Sequence, residues 1–152
     1  MTRCRRSERL DDRRRPIVAA ARKWLQLLEG RGATVTEDHH GTYSVIAYYL
    51  PAASFEVELD WREQAAFVLV CRATTGYKRA PGYYMDEGRL MRVHIADALG
   101  RLGLMEPGLR RRLQSTIRTS GPEAMHAQLQ TQGSVLAAKI DQLTEGYGEI
   151  FK

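Results

Sequence analysis

Apolar and polar positions recur with clear periods along most of the chain after residue 15. Behind Pro16, a residue that favours the first turn of a helix, apolar side chains recur at helical spacing at Ile17, Ala21, Trp24 and Leu28. Four runs rich in β-branched and aromatic residues follow, separated by short turns, at 33–37, 41–50, 54–61 and 65–74. The pattern predicts a helix followed by a four-stranded antiparallel meander.

The third run alternates most strictly and therefore predicts which side chains share a face. Phe55, Val57 and Leu59 point one way, and the acids between them point the other. Three-residue turns on either side predict a core face of Val35, Tyr43, Val45, Tyr49, Phe55, Val57, Leu59, Trp61, Phe67, Leu69 and Cys71. The opposite face then mixes Ile46, Tyr48, Val68 and Val70 with Glu56, Glu58 and Asp60. We expect a C-terminal helix to cover part of that face; the alternative is a partner site.

Three amphipathic stretches after residue 88 predict helices at 89–103, 107–119 and 120–151. Gly133 is expected to bend or split the last one, because glycine is unfavourable inside a helix. That helix packs on its own sheet or, alternatively, forms a homodimer. The predicted fold is α+β, with an N-terminal helix, a four-stranded antiparallel β-meander and two or three C-terminal helices.

The net charge of +5 is concentrated at the N-terminus. Residues 1–15 hold seven arginines against three acids, whereas residues 16–152 hold sixteen cations against fifteen acids. We therefore divide the chain into a basic, flexible arm at 1–15 and a single domain at 16–152. Two cysteines, no secretory leader and no bilayer-length apolar run favour a cytoplasmic, reduced protein without a membrane segment.

The segment 74–88, "TTGYKRAPGYYMDEG", carries the strongest recognition signal. It mixes tyrosines and cations, which are common in interfaces, and it joins a strand to a helix in the predicted fold. The predicted partner-binding residues are Tyr77, Lys78, Arg79, Tyr83 and Tyr84 in the segment, with Glu56 and Glu58 on the sheet.

Two other functions stay open from the sequence. A nucleic-acid-binding protein would use the tyrosines and cations of the segment together with Arg5, Arg6, Arg13, Arg14, Arg110, Arg111 and Arg112. A small enzyme would use Asp86, Glu87 and His94. The simpler role of the two acids is to precede a helix at Arg89, where negative charge is favourable.

No nucleophile elbow, phosphate loop or set of metal ligands occurs in the sequence, so we predict no cofactor and no metal. In the order of its elements alone, the chain resembles small bacterial adaptor, secretion-chaperone and toxin-immunity proteins. That resemblance implies a non-enzymatic protein-binding module, which is the function we predict.

Overall fold

The structure is a computed structural model that describes residues 11–74, 76, 78–80, 82–117 and 120–152. Helix α1 (Arg15–Trp24) starts with Pro16 in its first turn, and α2 (Gln26–Gly30) follows after a break at Leu25. Ile17, Ala21 and Leu28 are buried, as their helical spacing predicts. The predicted N-terminal helix is therefore confirmed, with a break near its end.

Seven strands follow in the described part of the chain. They are β1 (Thr34–His39), β2 (Tyr43–Tyr49), β3 (Ser54–Asp60), β4 (Ala65–Cys71), β5 (Met85–Asp86), β6 (Arg89–Leu90) and β7 (Arg92–His94). The main sheet is antiparallel in the order β1-β2-β3-β4-β7, and β5 pairs with β6 alone. The α+β class and the four-stranded meander are confirmed, and β7 adds a fifth strand.

The predicted pairing register of the meander is wrong. It differs by one residue at the last two turns, 50–53 and 61–64, because each has four residues instead of three. The difference is larger at the first turn, where Val35 pairs with Tyr48 instead of Tyr43. The core face of the sheet is therefore Ile46, Tyr48, Phe55, Val57, Leu59, Ala66, Val68 and Val70. Tyr43, Val45, Tyr49, Phe67, Leu69 and Cys71 lie on the opposite face with Glu56, Glu58 and Asp60.

The predicted helix at 89–103 is also corrected, since only its second half is helical. Its first half forms β6 and β7, and helix α3 (Ile95–Arg101) begins after His94. Asp86 and Glu87 consequently precede no helix. Glu87 and Gly88 form the two-residue turn between β5 and β6, and both have positive φ angles, of 49° and 75°.

The last three helices are α4 (Pro107–Ile117), α5 (Pro122–Glu145) and α6 (Tyr147–Ile150). Helix α5 packs within the chain on α1 and β4, and covers the core face of the sheet. Gly133 does not split α5. A Cβ at Gly133 would lie 2.8 Å from the Trp24 Cβ, so this glycine allows α1 and α5 to approach closely.

Two glutamines of α5 form hydrogen bonds with backbone groups of β4 where β7 does not pair with it. The Gln128 Oε1 accepts from the Ala66 amide and the Gln132 Oε1 from the Val68 amide, each at 2.7 Å. The Gln132 Nε2 donates to the Ala66 carbonyl at 2.8 Å. These buried side chains satisfy backbone groups that would otherwise lack partners. Among the described residues no helix has the length and apolar character needed to cross a membrane.

Candidate functional site

A buried ion cluster holds the segment after β4 against the sheet. Glu56, in the middle of β3, is only 1% exposed. The Arg92 Nε donates to both oxygens of its carboxylate at 3.2 Å, and Arg79 donates to one of them at 3.1 and 2.7 Å. A carboxylate this deeply buried requires opposite charge and hydrogen bonds. We call Glu56, Arg79 and Arg92 the loop clasp.

Arg92 also binds the backbone of the segment directly. Its guanidinium donates to the carbonyls of Ala80 at 2.5 Å, Gly82 at 3.0 Å and Tyr83 at 2.7 Å. The planar guanidinium carries five donors in a fixed arrangement, which suits several acceptors at once. The backbone at these three residues is thus held by one side chain of β7, which is itself 2% exposed.

The electrostatics of the clasp keep Glu56 charged and Cys71 protonated. Burial by itself raises the pKa of Glu56, but the charges and hydrogen bonds of Arg79 and Arg92 outweigh burial and hold the pKa below its ordinary value. Burial, together with the nearby Glu56 charge, raises the pKa of Cys71. The Cys71 thiol donates to Glu56 Oε2 at 3.2 Å. Because thiolate is the reactive form, Cys71 is an unreactive buried thiol, in agreement with its apolar sequence context.

The two adjacent tyrosines of the segment face different parts of the surface. The Tyr83 hydroxyl donates to Glu58 Oε1 at 3.3 Å, whereas the Tyr84 hydroxyl pairs with His94 Nε2 at 2.8 Å. Their rings meet edge to face, with centroids 4.4 Å apart. Tyr83 is 59% exposed and Met85 is 53% exposed. Among the described residues, these are the large hydrophobic side chains that are exposed to solvent.

Tyr83 forms one wall of a groove of about 400 Å³ on the face of the sheet opposite the helices. Its other walls include Tyr43, Val45, Glu58 and Asp60. Burial raises the pKa of Glu58, and the hydrogen bond from Tyr83 only partly offsets that effect. We call this the Tyr83 groove. It presents two aromatic rings beside two carboxylates and the guanidinium groups of Arg62 and Arg79.

A larger cleft, of about 630 Å³, lies on the other side of Tyr84 between β7, α3 and α4. Its lining includes His94 and Asp97, and two exposed arginines, Arg101 and Arg110. Burial lowers the pKa of His94, and the charge of Asp97 opposes that shift. We call this the α3–α4 cleft.

The predicted enzyme residues are not gathered in this cleft. His94 lines it, but neither Asp86 nor Glu87 does, because both lie at the β5–β6 turn. In the described residues, no group of three or more His, Cys, Asp or Glu side chains has a geometry that could hold a metal ion.

The arginines predicted to contact nucleic acid are dispersed. Arg110 lines the α3–α4 cleft and Arg112 lines a separate hollow against α5, since successive helical residues point about 100° apart. The Arg14 guanidinium donates to the Gly41 carbonyl at 3.0 Å and lies 5.0 Å from the Trp61 ring centroid. Arg13 and Arg111 are exposed. Arg5 and Arg6 lie outside the described residues.

The predicted partner-binding residues have three different environments. Tyr83 and Lys78 are exposed, Tyr84 and Arg79 are half-buried, and Glu56 is enclosed by the loop clasp. Glu58 lines the Tyr83 groove, and Tyr77 lies outside the described residues. Glu56 and Arg79 therefore bind each other in the structure. Arg79 also lines the Tyr83 groove, whereas Glu56 does not.

Sequence reasoning missed the roles of Arg92 and Tyr43. One signal for Arg92 was available, because a glutamate in the middle of an alternating strand requires a cationic partner if its face is covered. That signal does not choose among the arginines downstream. Tyr43 was assigned to the core by the wrong register.

Comparison of the chain with protein-family models, with curated proteins and with solved structures found no match.

Proposed function

We propose that the chain is a non-enzymatic protein-binding module of the bacterial adaptor, immunity-protein or secretion-chaperone type, which binds its partner at the Tyr83 groove. The observation that carries this proposal is the exposure of Tyr83 and Met85 on a segment that the loop clasp holds against the sheet. Large apolar side chains are enriched in interface cores, and a preformed surface loses less conformational entropy on binding.

The chemistry of the groove favours a partner that presents a basic side chain. Glu58 accepts a hydrogen bond from Tyr83 at 3.3 Å, and no salt bridge to Glu58 occurs in the described part of the chain. A lysine or arginine between the rings of Tyr43 and Tyr83 would gain cation–π contacts and neutralise this carboxylate. Exposed Arg62 lines the same groove, where an acidic residue of the partner would meet it.

Site-specific photo-crosslinking in the native host tests this surface. A crosslinking amino acid in place of Thr42, an exposed residue that lines the groove, is expected to capture one discrete protein. The same amino acid in place of Gln130, an exposed position on α5, is expected not to capture that protein. Capture from both positions, or from neither, would contradict the proposed interface.

The purified partner then allows the individual contacts to be measured by calorimetry. Tyr83→Ala is expected to weaken binding by about thirtyfold, the effect of losing an aromatic hot spot. Tyr83→Phe keeps the ring and loses only the hydroxyl, and Arg111→Ala is the remote control; both are expected to change affinity less than about threefold. Equal losses for Tyr83→Ala and Arg111→Ala would refute the assignment. Binding to nucleic acid that falls steeply with salt would instead support the alternative function.

A further inference from the structure

The α3–α4 cleft has the size and walls of a small-molecule site. Its volume of about 630 Å³ lies within the usual range for such sites. Apolar side chains from five parts of the fold line it: Leu90, Val93, Ala96, Met105 and Leu113. Tyr84 and His94 add polar groups that already bind each other, so these two residues form a stable wall.

The charged groups around the cleft leave one positive charge in excess. Arg101 and Arg110 have no salt bridge within the described residues, and the Arg101 Nη1 makes one long contact of 3.4 Å with the Ile150 carbonyl. Asp97 supplies one negative charge. Arg92 adds no free charge, because Glu56 pairs with it. His94 adds none near neutral pH, since burial lowers its pKa.

We propose that the α3–α4 cleft binds a small organic monoanion with an apolar body, whose acidic group lies between Arg101 and Arg110. The apolar walls accept the body and the two guanidinium groups pair with the carboxylate, sulfonate or phosphate. The volume of the cleft suits a single small molecule. This site is independent of the proposed function, because Tyr83 faces the groove and Tyr84 faces the cleft.

Two fluorescent probes with similar aromatic rings distinguish the contribution of negative charge to binding from that of the apolar rings. Anilinonaphthalene sulfonate carries one negative charge, and phenylnaphthylamine has a similar ring system without one. We expect one sulfonate probe to bind per folded chain, with a rise in fluorescence. The neutral probe is expected to bind about tenfold more weakly, because it lacks the charge-assisted contact.

Three substitutions locate the probe. Arg101→Ala and Arg110→Ala are each expected to weaken the sulfonate probe about tenfold and to leave the neutral probe unchanged. Gly100→Leu should abolish binding of both probes. Gly100 lines the cleft, and a Cβ added there meets no atom within 4 Å, so the larger side chain enters the open volume without straining the helix. Arg111→Ala, on the same helix as Arg110 but outside the cleft, is the matched control.

Three results would overturn the proposal. They are equal affinity for the two probes, sulfonate binding that survives Gly100→Leu, and a loss for Arg111→Ala as large as that for Arg110→Ala. Near-ultraviolet circular dichroism of every variant, with and without probe, ensures that fluorescence reports binding to the folded chain. None of these results changes the crosslinking outcome at Thr42, so the two proposals can fail separately.

Discussion

Loss of the Arg92 side chain should destabilise this fold strongly. Arg92→Ala removes a guanidinium that pairs with Glu56 and donates to the carbonyls of Ala80, Gly82 and Tyr83. The variant leaves the carboxylate with Arg79 as its remaining salt bridge among the described residues. It also removes the group that holds the backbone of the segment at those three carbonyls.

The magnitude follows from the burial of the pair. Removing one partner of a buried ion pair typically lowers the free energy of unfolding by about 3–5 kcal/mol. Arg79 remains on Glu56 and the freed carbonyls can turn toward water, so we expect about 3 kcal/mol for Arg92→Ala. Arg79→Ala should lower the same quantity by only about 1 kcal/mol, because Arg79 is 35% exposed and Arg92 keeps its contacts. The total free energy of unfolding of a typical domain is about 5–15 kcal/mol.

Urea unfolding at neutral pH measures both values. Arg92→Lys is the matched control, because it retains the charge but lacks the planar arrangement of five donors. Its free energy of unfolding should therefore lie between those of the wild type and Arg92→Ala. The double variant Arg92→Ala with Glu56→Gln should recover part of the loss, since it removes the buried carboxylate charge that Arg92→Ala leaves with Arg79 alone. The reasoning is refuted if Arg92→Ala and Arg79→Ala lower the free energy of unfolding by the same amount. It is also refuted if the loss in the double variant equals the sum of the separate losses of Arg92→Ala and Glu56→Gln.

Three further predictions concern single side chains. Gly133→Ala should lower the free energy of unfolding by about 1–2 kcal/mol, because the new Cβ would lie 2.8 Å from the Trp24 Cβ; Gly100→Ala, with open space around it, should be neutral or stabilising in the same urea experiment. Glu58 has a raised pKa, so the folded state favours its neutral form, and the associated stability is lost as pH rises through the folded pKa. Glu58→Gln should therefore gain stability relative to the wild type on going from about pH 4 to pH 7, and a constant difference would contradict this. His94 has a lowered pKa, so stability should fall as pH drops below its ordinary pKa of about 6.5; His94→Gln should flatten that slope in urea titrations, and an unchanged slope would exclude His94 as the source.

The sheet shows how far alternation can be used for prediction. Alternation in β3 assigns Phe55, Val57 and Leu59 to the core, which the structure confirms, because the period of two is a property of the strand itself. The pairing of neighbouring strands depends on turn length instead. The sequences of the turns permit three or four residues, and a difference of one residue moves a whole strand to the other face.

The mistaken helix at 89–103 has a related cause. Leu90, Val93 and Leu99 fit helical spacing, yet the first two belong to short strands. β7 forms because β4 offers an open edge at residues 69–71, to which Arg92, Val93 and His94 pair. A three-residue strand has almost no periodic signal of its own. Its existence depends on a partner more than twenty residues away, which local patterns do not report.

The acids of β3 have two separate roles that the sequence presents as one stripe. Glu56 pairs with Arg79 and Arg92, which stand 23 and 36 positions farther along the chain. Glu58 and Asp60 have no salt bridge within the described residues and line the Tyr83 groove instead. Arg79 therefore helps to position the segment. From the sequence alone, Arg79 was predicted to contact a partner instead. The groove beside it combines these two carboxylates with exposed Arg62, so the proposed partner should place a cation on Glu58 and an acidic group on Arg62.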